Sequence, residues 1–218
     1  MQMRPASSGP VPCELVHMDV CGPFQEASLG GSMYLATFVD DYSSLSVVCP
    51  IKAKSDVAGV TIDVINMLEK QSGWPLLVVR SDNGSEYINS TLSTFFKEKG
   101  VLCQTTVRYT PEQNGKAERL NRTLLDRVRA MLEDSGLPKT LWAEAATTAS
   151  YLRNRAPAAG RSCTPWEAFF GNKPNVSHLR VFGARAYALQ PKELRRKLDS
   201  HAISGVMVGY EPNVKGYL

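Results

Sequence analysis

The sequence predicts an α/β protein in which helices are layered on a sheet. Short alternating or apolar runs are typical of strands, and longer runs have the apolar spacing of helices. The two kinds of element follow the order strand, strand, strand, helix, strand, helix, strand, then further helices, which favours a layered α/β arrangement. The 218 residues, 43% of them hydrophobic, are enough for one sizeable domain or for a domain and a small module.

Alternating apolar residues, helical apolar spacing and chain-breaking Gly and Pro residues predict the individual strands and helices. The predicted strands are 14–20, 33–39, 45–51, 76–80 and 101–103, with a hairpin turn at 40–43. The predicted helices are 55–70, 90–99, 116–134 and 138–155, bounded by breakers such as Trp74-Pro75, Gly100 and Gly136. Short strands at 184–189 and 203–208 surround the basic run KELRRK and predict a small β module.

These elements divide the chain into three predicted segments. Residues 1–12 are a flexible lead-in, 13–175 are the α/β core, and 176–218 are part of the β module. The last pattern stops before the module is complete, so we expect a fragment of a longer chain. The lead-in lacks the apolar centre of a signal peptide, and no apolar run approaches the ~20 residues that span a bilayer. We therefore expect an intracellular protein without a membrane partner.

Charge and cysteine usage narrow the class of protein. The net charge of +4 and the sequence pI near 8.8 are compatible with a nucleic-acid partner. The five cysteines, at 13, 21, 49, 103 and 163, form no C-x-x-C pair. This spacing argues against a zinc site built from cysteines and fits a reducing compartment.

Two acidic residues lie near the ends of predicted strands. Asp82, in RSDNGSEY (80–87), follows an apolar run and precedes the turn dipeptide Asn83-Gly84. Asp19 lies near the end of the first strand, on the same face as His17. One interpretation is turn chemistry, with Asp82 bonding nearby backbone and Asp19 bonding the turn at Gly22. The other is a shared metal site, since open α/β sheets form their sites at strand ends.

A third acid, Glu118, opens the long helix at 116–134. The apolar stripe of that helix is Ala117, Leu120, Leu124, Val128 and Met131. Glu118 lies about 100° from Ala117 around the axis, with Arg122 and Arg129 along the same flank. One interpretation is an i,i+4 ion pair with Arg122, worth about 0.3–0.5 kcal/mol. The other is that Glu118 faces the same site as the preceding loop.

Three motifs in this order resemble the integrase of Ty1/copia-type retrotransposons. They are HxDxxGP at 17–23, SDNGxE at 81–86 and YTPxQNGxAERxNRT at 109–123. The 35 residues between Asp82 and Glu118 (118 − 82 − 1) are similar to the D,D-35-E spacing of retroviral integrases. FVDDYS at 38–43 and VFGARAY at 181–187 extend the resemblance over nearly the whole chain from about residue 14.

The resemblance implies a ribonuclease-H-like fold and a metal-dependent reaction. The fold would be a mixed five-stranded sheet flanked by helices, followed by a truncated SH3-like β module. Asp19, Asp82 and Glu118 would be the catalytic and metal-binding triad, holding two Mg²⁺ or Mn²⁺ ions. Mg²⁺ prefers such hard oxygen ligands, and two ions can activate the attacking oxygen and stabilise the leaving one. The implied reactions are 3′-end processing and strand transfer, which need no covalent enzyme intermediate.

The resemblance also implies partners. They are double-stranded element DNA ends, target DNA and, in the full-length protein, further copies of the chain; the nucleus would be the place of action. Basic residues beside Glu118 are the predicted DNA contacts, because Lys and Arg dominate affinity for phosphates. The DNA-binding candidates are Arg122, Lys116, Arg119, Arg129, Arg108, Tyr109, Gln113 and Asn114.

Two other functions stay open on the sequence alone. The chain could be a non-catalytic DNA-binding fragment or relic of such an integrase, or a ribonuclease-H-like nuclease, since the same carboxylates serve hydrolysis. We expect Asp40 and Asp41 to be hairpin turn residues and His17 to be a hydrogen-bonding strand residue. Arg127 and the KELRRK run are either solvated surface or DNA contacts.

Overall fold

A five-stranded mixed sheet forms the centre of the molecule. The computed structural model describes residues 11–82, 84, 87, 89–105, 115–157, 160–197, 199–211 and 216–218. The strands of the sheet are β1 (Leu15–Cys21), β2 (Tyr34–Asp40), β3 (Ser46–Ile51), β4 (Val78–Ser81) and β5 (Leu102–Thr105). Their order is β3-β2-β1-β4-β5. The first three strands pair antiparallel, and β4 and β5 join β1 in parallel. The predicted mixed five-stranded sheet is confirmed.

Five helices and a hairpin complete the described structure. The helices are α1 (Val57–Ser72), α2 (Ser90–Lys99), α3 (Gly115–Ser135), α4 (Trp142–Arg155) and α5 (Pro165–Phe170). Short 3-10 turns lie at Lys54–Asp56, Lys139–Leu141 and Lys192–Leu194. Strands β6 (Arg185–Leu189) and β7 (Ala202–Val206) form a separate antiparallel pair. Within the described residues, no helix has the length and apolar character needed to cross a membrane.

Helix ends follow the local signals in the sequence. Helix α2 begins after Asn89, whose side chain accepts a hydrogen bond from the Leu92 backbone N–H. It ends at Gly100 in the left-handed conformation that glycine adopts without strain. Helix α5 was not predicted. Its signal is Thr164-Pro165, with Thr164 capping the N–H of Glu167 and Pro165 in the first turn.

The sheet separates two apolar layers. On one face, Val16 and Met18 of β1 and Phe38 of β2 pack with α1, α2 and α5. On the other face, Leu35 and Val39 of β2 pack with α3 and α4. Because side chains alternate along a strand, the odd-numbered residues of β1 face α3. This alternation directs His17 and Asp19 toward the long helix.

Residues after α5 contact the core through α4. The Tyr210 ring stacks on the Tyr151 ring with centroids 4.3 Å apart, and Thr148 Oγ1 donates to the Val208 carbonyl at 3.2 Å. Phe182 is buried in the same apolar cluster as Trp142. The predicted boundary between 175 and 176 stays a prediction.

Candidate active site

Asp19 lies on the central strand β1 and faces helix α3. It lies two residues before the end of the strand, inside the ladder opposite Thr37 of β2. Its Oδ1 accepts from the Val20 N–H at 2.9 Å, and its Oδ2 accepts from Asn121 Nδ2 at 2.8 Å. The turn interpretation predicted a bond to the Gly22 turn. The contacts to Val20 and Asn121 instead fix the carboxylate against α3.

Asp82 directly follows β4, the parallel neighbour of β1. Its Oδ1 accepts from the Gly84 N–H at 3.1 Å, and its carbonyl accepts from Ser81 Oγ at 3.0 Å. The turn interpretation is therefore correct as far as it goes. Among the described residues, no hydrogen bond is seen to its Oδ2. The parallel pairing of β1 and β4 places the C-terminal ends of the two acid-bearing strands side by side.

Glu118 lies in the first turn of α3 and is exposed. Within the described residues it forms no ion pair with Arg122, so the i,i+4 interpretation is wrong for this conformation. The buried stripe of the helix is Ala117, Leu120, Asn121, Leu124 and Val128, which packs α3 against the sheet. Glu118 therefore extends from the edge of the packed face.

The negative charges of Asp82 and Glu118 act on the carboxyl group of Asp19. The pKa of the Asp19 carboxyl is raised, first by burial and then by the negative charges of Asp82 and Glu118. The hydrogen bonds from Val20 and Asn121 lower it and only partly oppose this rise. Like charges are thus gathered around a partly buried carboxylate, an arrangement that a bound cation stabilises.

The carboxylate oxygens of Asp19, Asp82 and Glu118 suit a hard divalent ion. In the present conformation, however, these side chains are not close enough together to coordinate one. Among the described residues, no three His, Cys, Asp or Glu side chains lie close enough together to hold a metal ion. Glu118 is exposed, and exposed side chains change rotamer rapidly. Of the three acids, Glu118 is therefore the one whose side chain changes position most readily, since hydrogen bonds hold Asp19 and Asp82.

Asn121 is a site residue that the sequence analysis did not single out. It is 7% exposed, and its Nδ2 donates to Asp19. Within the described residues its Oδ1 is buried without a hydrogen-bond partner. The available signal was its position three residues after Glu118, which places it within about one turn on the same side of α3.

A fourth acid, Asp41, lies in the turn between β2 and β3 and also contacts α3. Its Oδ1 accepts from Lys116 Nζ at 2.9 Å and lies 2.9 Å from His17 Nε2. Burial raises the pKa of Asp41. The hydrogen bonds from Lys116 and His17 lower that pKa by more, so the net shift is downward. Asp40, 1% exposed, accepts from the backbone N–H groups of Cys13 and Ser43. Both acids and His17 therefore have structural partners.

Helix α3 consequently has two polar flanks, one on each side of the buried stripe that packs on the sheet. At ~100° per residue, Glu118 and Arg122 lie about 40° apart, and with Asn121 they form what we term the carboxylate flank. Lys116 and Arg127 lie about 20° apart around the axis and about 16 Å apart along it. They form the hairpin flank, whose first member, Lys116, contacts Asp41 in the turn between β2 and β3. Glu118 and Arg127 are on opposite sides of the axis.

The structure places four of the eight predicted DNA contacts. Arg119, Arg122 and Arg129 are exposed on α3, and Arg129 forms an ion pair with Asp126 at 2.7 Å. Lys116 is engaged by Asp41. The other four, Arg108, Tyr109, Gln113 and Asn114, lie outside the described residues. These positions do not test whether any of the eight residues contacts DNA.

Two family models match separate parts of the chain. Residues 10–111 match the integrase core domain family, and residues 184–218 match the retroviral polymerase SH3-like domain family. The chain belongs to the integrase core family of Ty1/copia-type retrotransposon polyproteins. The two matched regions contain the sheet that carries Asp19 and Asp82 and the β6–β7 hairpin.

Curated relatives show how much of a longer protein this integrase core represents. The chain is 42% identical over 205 residues to the retrovirus-related Pol polyprotein from transposon TNT 1-94 of Nicotiana tabacum, covering 94% of this chain and 15% of that protein. It is 33% identical over 186 residues to the Pol polyprotein from transposon RE1 of Arabidopsis thaliana, covering 85% and 13%. The chain thus spans about one seventh of the length of these relatives.

Solved structures share the fold. The HTLV-2 integrase catalytic core domain, determined in complex with magnesium in a trimeric form, aligns with a TM-score of 0.56 at 21% identity. This alignment covers 74% of the present chain and 99% of the HTLV-2 chain. The BIV integrase catalytic core aligns with a TM-score of 0.55 at 21% identity, covering 73% and 95%. The ribonuclease-H-like integrase fold predicted from the sequence is confirmed.

Proposed function

We propose that the chain is the catalytic core of a metal-dependent polynucleotidyl transferase that performs 3′-end processing and strand transfer of element DNA. Asp19, Asp82 and Glu118 are the catalytic triad. The observation that carries the proposal is the position of Asp19. Its partly buried carboxylate, on the central strand, has a pKa raised by burial and by the charges of Asp82 and Glu118.

The same three carboxylates would hold Mg²⁺ or Mn²⁺. Their oxygens are the ligands that these ions prefer, and the mutual repulsion at Asp19 is relieved by a cation. Bound there, a divalent ion supplies positive charge for phosphoryl transfer. The structurally similar HTLV-2 core was determined in complex with magnesium, which supports the same ion here.

The chain's own residues position this site. Strands β1 and β4 are parallel neighbours in a rigid sheet, so the backbone positions of Asp19 and Asp82 are fixed relative to each other. Asn121 fixes the orientation of the Asp19 carboxylate through its Nδ2 donor. Arg122, exposed one turn after Glu118, would contact a phosphate of the substrate.

The partners follow from the same proposal. The substrates are double-stranded element DNA ends and target DNA, and the nucleus is the place of action. The HTLV-2 core is described in a trimeric form, which supports a homo-oligomer in the complete protein. An assay of the chain alone decides whether it acts by itself.

The decisive assay is disintegration, the reversal of strand transfer, which needs no assembled pair of element ends. The purified chain is incubated with Mg²⁺ or Mn²⁺ and a labelled branched DNA, and the joined and released strands are resolved on a gel. We expect resolution of the branch by the wild type and none by Asp82→Asn, which keeps the side-chain shape but removes the charge. Equal product from both proteins would contradict the assigned triad.

The same assay separates the alternatives. A folded chain that binds DNA and metal but never resolves the branch is a non-catalytic binding segment. A chain that only hydrolyses DNA or RNA strands, without joining them, is a ribonuclease-H-like nuclease. In both cases the strand-transfer proposal is wrong.

A further inference from the structure

Two arginines are anchored at the turn between β2 and β3. Arg153, near the end of α4, donates from Nη1 to the Ser44 carbonyl at 2.7 Å. Arg161, in the segment after α4, donates from Nη1 to the Tyr42 carbonyl at 2.7 Å. Because these two carbonyls are only two residues apart, the guanidinium groups are held side by side at one turn. Each retains further N–H donors beyond the one used on the backbone.

A third arginine completes the cluster from the hairpin flank of α3. The pKa of Arg153 is lowered, first by burial and then by the positive charges of Arg127 and Arg161. Helices α3 and α4 also pack against each other through Leu124 and Ala149, which brings Arg127 of α3 toward the end of α4 where Arg153 lies. Arg127 is half-buried, whereas Arg161 is exposed.

The positive charge of this cluster is not neutralised by acids of the described structure. No described Asp or Glu forms an ion pair with Arg127, Arg153 or Arg161. The two acids of the same turn are occupied elsewhere. Asp40 bonds Cys13 and Ser43, and Asp41 bonds Lys116 and His17. Gathering like charges costs folding free energy unless an anion joins them.

A purely structural role explains only part of the cluster. Arg153 can be required to hold the turn, where Ser44 has a positive φ of 63° that costs energy for a residue other than glycine. Within the described residues, Arg127 makes no hydrogen bond or ion pair that would explain its position. Guanidinium groups match phosphate oxygens in bidentate geometry, so a phosphate is the anion that suits three of them.

The distance between the cluster and the triad fits a polymer, because the DNA that reaches Glu118 in the proposed function would have to extend to Arg127. Arg127 lies nine positions after Glu118 in α3, which is about 14 Å along the helix axis. A single phosphodiester cannot reach both positions. A nucleic-acid strand can.

We propose that Arg127, Arg153 and Arg161 form a second DNA-backbone site, on the hairpin flank of α3 and separate from the carboxylate flank. The identification of DNA as the ligand rests on the proposed function. The site binds phosphates without reading bases, so it fixes the path of the duplex away from the reacting strand.

The test is the salt dependence of binding to a fluorescein-labelled 30-base-pair duplex of arbitrary sequence, measured by anisotropy in EDTA. Each lost phosphate contact lowers the slope of log K against log salt by about 0.9. We expect Arg127→Gln to lower the slope by about 1, and Arg127→Gln with Arg161→Gln by about 2. Arg127→Lys should retain the wild-type slope, because it keeps the charge.

The matched control is Lys70→Gln. It makes the same change of charge in the last turn of α1, which packs on the opposite face of the sheet. Its slope should equal that of the wild type. If Arg127→Gln and the double variant both behave like Lys70→Gln, the second site is overturned. Neither test substitution removes the Arg153 anchor, so loss of the turn does not obscure the result.

Two further outcomes separate this inference from others. A poly-glutamate peptide that displaces the duplex as well as unlabelled duplex does, at equal charge, would assign the cluster to an acidic protein segment instead. Because the binding assay contains no divalent metal, it does not depend on the triad. Arg127-dependent binding with no disintegration would leave this site standing and remove the catalytic proposal. Disintegration with unchanged slopes would leave the catalytic proposal standing and remove this site.

Discussion

Asp19 and Asp41 lie on opposite sides of the start of α3, and both accept a hydrogen bond from that helix. Asp41 receives it from the cation Lys116, with His17 as a second partner, and its pKa is lowered. Asp19 receives it from the neutral amide of Asn121, faces two further acids, and its pKa is raised. The fold has neutralised one acid with its own cation and gathered negative charge around the other. The first arrangement holds the helix in place, and the second favours an external cation.

The largest expected effect that sharpens this contrast is that of Asp19→Asn. Disintegration should be lost, while the metal-free protein becomes more stable at pH 7. The folded-state pKa of Asp19 is raised, so its ionised form destabilises the fold above the ordinary value near 4, increasingly as pH rises. Thermal melting in EDTA from pH 4 to pH 8 measures the difference, which should vanish at the acid end.

The control for this experiment is Asp126→Asn, on the exposed side of α3. It should change stability by less than about 0.5 kcal/mol at every pH. If Asp19→Asn proves less stable than the wild type at pH 7 without metal, the repulsion assigned to Asp19 is incorrect.

Asn121→Ala should give the next largest effect. It removes the donor that orients the Asp19 carboxylate, and loss of such supporting contacts typically costs ~10–100-fold in metal affinity or activity. The disintegration rate measured across a Mn²⁺ titration tests this. A variant with wild-type rate at every Mn²⁺ concentration would show that Asp19 needs no orientation from α3.

Arg122→Ala should have a smaller effect, confined to DNA binding. Losing one phosphate contact lowers the salt slope by about 1, and the weakening should be the same for duplexes of different sequence. Arg129→Ala is the comparison on the same flank, since Arg129 is already paired with Asp126. An unchanged slope for Arg122→Ala would place the DNA path away from the carboxylate flank.

The smallest effect is expected for Asp41→Asn. Its side chain is 47% exposed, so we discount the ion pair and expect a loss of about 1 kcal/mol at pH 7. The folded-state pKa is lowered, so this stability is present above pH 4 and disappears as pH falls through the folded-state value. The pH trend is therefore opposite to that of Asp19→Asn. Urea unfolding at pH 7 and pH 3 checks it, and identical trends for both variants would remove the contrast.

Local patterns predicted the elements and the positions of the acids well. The alternation of β1 was enough to put Asp19 on one face, and apolar spacing was enough to put Glu118 at the edge of the packed face of α3. The strand boundaries differ by one or two residues, as at β4, which begins at Val78 where residue 76 was predicted. The catalytic roles of the acids stay a prediction.

Contacts between distant parts of the chain were not predictable. Asn121 meets Asp19 across 102 residues, Arg153 meets Ser44 across 109, and Arg161 meets Tyr42 across 119. No local spacing contains such pairings, because they depend on how α3 and α4 dock on the sheet. The same reason explains why the sequence predicted Asp41 only as a hairpin turn residue, although it also bonds Lys116 of α3.

The most direct test of the account is Mn²⁺ binding, measured from the free Mn²⁺ signal in electron paramagnetic resonance. The wild type should bind Mn²⁺, Asp19→Asn should abolish binding, and Asp82→Asn and Glu118→Gln should each weaken it. Asp41→Asn should bind as the wild type does, because its charge is already neutralised by Lys116. Binding that survives all three triad substitutions, or that is lost with Asp41→Asn alone, would contradict the assignment of the metal site to the carboxylate flank.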